Sequence, residues 1–303
     1  MSSLGLLIAC LALGAALRAA GRVGPEAGRV VAALLIHVSL PAATLLHLRD
    51  VVLEPRLLSA IAMPWALFAL AWACFRRIGS RLGWDRATVG AMVIVCGVGN
   101  TAFVGLPMVQ ALEGSAGLPA AMALDQLGTW LVLATGGSAV AAWMAGDAGA
   151  TSVNGVLRRM AGYPPFLALL GALALRGVPL PEPVDGLLRQ LASLLAPLAL
   201  LGTGTQLCWR ALREQRQQLV IGLGFKLLAW PLVVIAVLAA AGGLQDTVGR
   251  VTVVEATMGP SVAACALASA SGRKENLCAA LVAVGVPLGM AGAVLATWWL
   301  GAA

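Results

Sequence analysis

Three ionisable residues stand inside long apolar runs of this chain: Asp125, Lys226 and Glu255. A charge at membrane depth is costly, so such a residue marks a functional position by default. Either carboxylate could bind a proton or coordinate sodium. By helix rise each lies about 10 Å from one membrane face, and Lys226 about 10 Å from the other. The plainer roles are a structural ion pair or polar contact for the carboxylates, and a side chain reaching the inner surface for Lys226. Two clusters of glycine and proline accompany them. Gly97-Val98-Gly99-Asn100-Thr101 and Gly105-Leu106-Pro107 interrupt the apolar stretch 92–113, and Met258-Gly259-Pro260-Ser261 interrupts 248–271. Glycine and proline weaken helical hydrogen bonding. In lipid, backbone groups freed this way persist only where protein or a water-filled cavity covers them.

Each break lies near mid-membrane. From residue 89 to Asn100 the rise is roughly 16 Å, and from 248 to Met258 roughly 15 Å, within a hydrocarbon core about 30 Å thick. Matched interruptions in the two halves of a chain point to a secondary transporter's binding site, whereas unrelated proline kinks carry no such meaning. After each break the sequence predicts a helix restarting with proline in or near its first turn, at Pro107 and Pro260. Each restarted half-helix would aim about half a positive charge and several free N–H groups at the membrane centre. Two such ends converging would suit a carboxylate. The candidate substrate contacts are therefore Asn100, Thr101, Gly105, Pro107, Gly259, Pro260 and Ser261, with Asp125, Glu255 and Lys226 as coupling or ion-binding residues. The polar side chains could equally satisfy the broken backbone locally. The carbonyl ends, around 97–99 and 256–258, carry the opposite polarity and could hold a cation or orient water.

Less specific signals surround these. His37 is a lone intramembrane histidine, more often packed than a proton relay. Thr203, Thr205 and Gln206 suit interhelical hydrogen bonds, and the small residues of Gly285-Val286-Pro287-Leu288-Gly289 suit close helix contact.

The elements that must position these residues are membrane helices. The chain of 303 residues is 60% hydrophobic and 11% charged, which excludes a soluble domain of this size. Hydropathy predicts ten spans, at 4–20, 30–48, 57–75, 89–112, 118–144, 163–176, 187–207, 218–241, 248–271 and 276–301. With the N-terminus outside, fourteen arginines and lysines fall in inner loops and five on the outer side. Both termini are therefore expected outside an inner (plasma) membrane. Ten spans divide into a first five-helix repeat (1–145), a cytoplasmic connecting loop (146–162) and a second repeat (163–303). An odd number of spans per repeat forces the two into opposite orientations.

Other chemistries find little support. The net charge of +7 comes from residues between spans, not from a basic patch with aromatic neighbours, so nucleic acid is not an expected partner. The six cysteines, Cys10, Cys74, Cys96, Cys208, Cys265 and Cys278, form no CxxC pair and read as small buried hydrophobes. The first apolar run reads as a retained span, not a signal peptide. Nucleotide, zinc-hydrolase and serine-hydrolase motifs are absent, so neither an enzyme nor a cofactor is expected, beyond a proton or sodium as coupling ion.

Several motifs together resemble the auxin efflux carrier family. Gly99-Asn100-Thr101-Ala102-Phe103-Val104-Gly105-Leu106-Pro107 is similar to that family's fourth-span signature. Val38-Ser39-Leu40-Pro41-Ala42, Leu124-Asp125-Gln126-Leu127-Gly128-Thr129, Pro197-Leu198-Ala199-Leu200-Leu201-Gly202, Lys226-Leu227-Leu228-Ala229-Trp230-Pro231 and Glu255-Ala256-Thr257-Met258-Gly259-Pro260 resemble spans two, five, seven, eight and nine, in order along nearly the whole chain. The resemblance implies an all-α fold of two inverted five-helix repeats. Spans 1, 2, 6 and 7 would be a scaffold, the others a moving domain, with spans 4 and 9 crossing at their prolines. It further implies carriage of organic anions such as malate, malonate or auxin, and a homodimer. Bile acid–sodium symporters share the architecture, which makes sodium-coupled uptake of an amphipathic acid the alternative, beside a membrane sensor with a transporter-like fold. The chain departs from the commoner pattern at Gly259, where a proline often stands.

Overall fold

A computed structural model describes residues 3–24, 26–49, 51–52, 54–146, 155, 158, 161–207, 215–272 and 274–302. Most of the connecting stretch 146–162, including Arg159, and also Cys208, Arg210, Arg213 and Arg273, lie outside the described residues. Among the described residues, twelve helical segments carry the fold. They are α1 Ser3–Ala19, α2 Ala27–Leu48, α3 Pro55–Leu82, α4 Arg86–Cys96, α5 Thr101–Leu112, α6 Ser115–Ala145, α7 Pro164–Ala174, α8 Glu182–Gln206, α9 Arg216–Ala240, α10 Thr247–Thr257, α11 Val262–Gly272 and α12 Glu275–Ala302. Among them α2, α3, α6, α8, α9 and α12 are long and apolar enough to cross a membrane. The others are shorter. Leu228, Leu232, Val237, Leu295 and Trp298 are more than half exposed, as side chains facing lipid would be.

The two stretches with glycine–proline breaks are the ones the fold divides, into α4 and α5 and into α10 and α11. The first piece of each begins alike. Asp85 caps α4 by accepting from the Thr88 amide at 2.8 Å, and Asp246 caps α10 by accepting from the Gly249 amide at 2.7 Å. Both α4 and α10 then run for 11 residues before stopping. Both are buried on all sides: every residue from Thr88 to Cys96, and from Val251 to Thr257, is buried. A helix apolar or small all round belongs at the centre of the molecule.

Around that centre the helices fall into two groups. α1 packs along α8, and α7 and α8 pack along α2. The approach is close because glycines form it. A Cβ on Gly14 would strike the Leu201 carbonyl, and one on Gly204 would strike the Leu11 carbonyl. The second group pairs α3 with α4 and α6, α11 with α4 and α12, and α10 with α9 and α12. Gly285 and Gly289 of α12 form the groove in which the second break lies. Added Cβ atoms there would collide with the Pro260 ring and the Gly259 backbone.

Five turns widen into π-helix: Leu35–Ser39 in α2, Thr101–Gly105 in α5, Leu124–Trp130 and Leu133–Gly137 in α6, and Phe225–Ala229 in α9. Three of them end two residues before a proline, at Pro41, Pro107 and Pro231. Proline lacks the N–H that would bond the carbonyl four residues back, and its ring crowds that carbonyl. Widening the preceding turn relieves both. Here one expectation is corrected. The first half-helix restarts at Thr101, not at Pro107, because the wide turn already supplies the helical path.

Candidate transport site at the helix crossing

The two breaks meet. Gly99 and Pro260 pair as a single antiparallel bridge. The Asn100 amide donates to the Gly259 carbonyl at 2.9 Å, and the Ser261 amide donates to the Val98 carbonyl at 3.2 Å. Each unwound segment therefore satisfies backbone groups freed in the other, as segments without lipid or bulk water must. The crossing point lies at Gly99 and Pro260. It is not at the two prolines, since Pro107 is eight residues further along α5. Gly259 fits because its missing side chain leaves room for the backbone of Gly285, which a Cβ would strike.

A cavity of about 110 Å³ opens on one face of the crossing. Asn100, Thr101, Ala102 and Phe103 line it from the start of α5, and Ser261 and Ala263 from the start of α11. Both half-helix N-termini thus border one space. Asn100 is 2% exposed, and its side-chain Nδ2 has no hydrogen-bond partner among the described residues. The Thr101 hydroxyl donates to Asp125, which the π-turn of α6 turns inward. The Ser261 hydroxyl accepts from the Ala264 amide at 3.4 Å and so caps α11. Among the three polar candidates, Asn100 alone has a side-chain nitrogen or oxygen with no hydrogen-bond partner among the described residues.

Not every expected contact reaches this space. Gly105 abuts the Glu255 carboxylate, which occupies the place a Cβ would take. Pro107 lines a separate recess of about 480 Å³ near His47, Arg49 and Arg189. Gly259 and Pro260 face α12. Glu255 and Lys226 lie behind the crossing, away from the cavity, where the Lys226 ammonium donates to the Ala256 carbonyl at 3.1 Å. His37 donates to or accepts from nothing at the crossing; its ring contacts the Ala33 carbonyl one turn back. Thr205 likewise bonds its own helix at Gly202.

Sequence reasoning missed the aromatic wall. Trp130 and Tyr163 line the cavity and stack with ring centroids 4.2 Å apart, and Phe166 lies 5.7 Å from Trp130. The available signal was modest: Tyr163 is the chain's single tyrosine and stands just before Pro164-Pro165.

Residues 5–149 match the membrane transport protein family, and residues 150–297 match it a second time. The chain belongs to that family. The auxin efflux carrier resemblance of the motifs is thereby borne out, with the division between the two matched blocks falling inside the connecting stretch 146–162. This family member is also 27% identical over 267 residues to an uncharacterized transporter of Methanothermobacter thermautotrophicus, covering 84% of this chain and 83% of the relative.

Proposed function

We propose that this membrane transport protein is a secondary active transporter or facilitator of a small organic anion, working by alternating access around the crossing. One observation carries the reading. The N-terminal ends of α5 and α11 border a single cavity that also holds the unpartnered Asn100 amide. Helix N-termini and a free side-chain donor form an anion site without a fixed cation in direct contact. Asn100, Thr101 and the first amides of α5 and α11 hold the carboxylate. Asp125 and Glu255 couple the step by taking up and releasing a proton.

The same reading arranges the helices as ten spans in two inverted repeats of five, with both termini outside the inner membrane. The paired capping aspartates and the equal 11-residue length of α4 and α10 support this arrangement. The group α1, α2, α7 and α8 acts as the scaffold against which the rest moves. A homodimer, which the family resemblance implies, belongs to the same reading.

Purified protein in liposomes tests the function. Uptake of a labelled mono- or dicarboxylate driven by a pH or substrate gradient is expected. Binding without flux under every gradient would show a sensor instead.

A further inference from the structure

The carbonyl end of α10 is a second polar feature of the crossing, and the cavity does not use it. The last carbonyls of a helix lack N–H partners and carry its negative pole. The Met258 amide covers the Glu255 carbonyl at 3.3 Å, and the Thr257 hydroxyl covers the Val254 carbonyl at 2.7 Å. The Ala256 carbonyl is taken by the Lys226 ammonium. That ammonium is fully buried, and the wide turn at Phe225–Ala229 holds it in place. It sits 3.6 Å from the centroid of the Trp230 ring, whose face attracts a cation. It also lies 3.6 Å from the position of a Cβ on Gly99, so it touches the back of the crossing itself.

Glu255 lies one residue before the carbonyl that Lys226 engages, and its carboxylate makes no direct bond to the ammonium. It is 1% exposed, and neither carboxylate oxygen is hydrogen-bonded among the described residues. A carbonyl oxygen and an aromatic face around one point, with a buried acid beyond direct contact, are what a desolvated monovalent cation would use. We propose that this is a cation site which the protein fills with its own Lys226 ammonium, so that no alkali cation binds at the crossing.

The consequence rests on the anion-transport reading. No arginine, lysine or histidine lines the central cavity among the described residues. The Lys226 charge therefore stands one backbone layer behind Asn100 as the fixed positive charge facing the anion. It is a positioning residue that touches the crossing and not the substrate. Transport then needs no sodium, and the mobile charge is a proton.

Thermal unfolding of the purified full chain in detergent tests the site itself, with sodium chloride exchanged for choline chloride at equal ionic strength. The wild type should melt at the same temperature in both. Lys226→Ala should melt lower in choline and recover by about 3 °C or more in sodium or methylammonium chloride, which return a cation to the vacated place. Lys226→Gln, which keeps the length and a donor, serves if the alanine variant does not fold. Stabilisation of the wild type by sodium over choline would overturn the proposal, and so would a folded variant indifferent to both cations. These readouts need no substrate. A failed flux assay would sink the transport reading and leave this result standing, while sodium stabilising the wild type would do the reverse.

Discussion

At the scale of single residues, the site depends on which polar groups are already occupied. Thr101 is tied to Asp125 and Ser261 caps its helix, whereas the Asn100 amide is buried and unused. An unmet buried donor carries a desolvation cost of about 1–3 kcal/mol that a bound carboxylate would relieve. Ser261→Ala is therefore expected to weaken carboxylate binding by only a few-fold, less than loss of the Asn100 amide. Equal losses in the two variants would contradict this ranking. Gly259 makes a packing prediction. With the Gly285 backbone where its Cβ would go, Gly259→Ala should destabilise the protein by about 1–3 kcal/mol, read as a lower melting temperature. An unchanged melting temperature would show that the groove yields. The residue types at the breaks were legible in the sequence, because glycine, proline and buried charge each have a stated cost in lipid. Their sorting into cavity, groove and rear face was not. That depends on which side of the crossing each residue turns to, and a one-residue shift reverses it.

At the scale of elements, the same sequence signals that located the breaks set the wide turns. Pro41, Pro107 and Pro231 each follow a π-turn, and those turns carry His37, Thr101 and Lys226. Proline spacing predicted an interruption but not its form. A helix can answer a missing N–H by unwinding or by widening, and packing decides between them. That is why α5 starts six residues before Pro107.

The capping aspartates give an element-scale test. Asp85 lies outside the membrane-spanning helices. Its partial burial pushes its carboxyl up, but hydrogen bonds from Thr88 and from the Lys274 ammonium outweigh that and hold it below its usual value. A carboxyl lowered in the folded state stabilises above its unfolded value and loses that contribution as pH falls through the folded one. Asp85→Ala should cost about 1 kcal/mol near neutral pH. The gap in melting temperature from wild type should close below about pH 4. A gap independent of pH would mean the cap contributes nothing as a charge.

At the scale of the whole molecule, the interrupted helices are joined at three levels. Lys274 and Asp85 pair at 2.9 Å near the start of α4 and the end of α11. The backbone bridge joins them in the middle. Arg250 of α10 grips Glu113, just past α5, through two bonds of 2.8 and 3.1 Å. Glu113 is almost buried in this pair, with its side chain 7% exposed. Glu113→Gln should therefore destabilise by about 1–3 kcal/mol, and combining it with Arg250→Gln should recover part of the loss. Additive losses would show that the two side chains act separately. The all-helical membrane fold was legible from hydropathy alone. The side-by-side crossing was foreshadowed by the matched positions of the two breaks. The reciprocal amide bonds that close it were not, since pairing between residues 159 and 163 apart leaves no local trace.

The account turns on a carboxylate held where the two half-helices start. The most direct measurement is equilibrium binding of a transported carboxylate to purified wild type and Asn100→Ala, with melting temperatures recorded on the same samples. Loss of at least about tenfold in affinity, with the fold intact, is predicted from removal of one charge-assisted hydrogen bond of about 1.5–3 kcal/mol. Undiminished affinity in a folded Asn100→Ala protein would place the anion elsewhere and contradict the account.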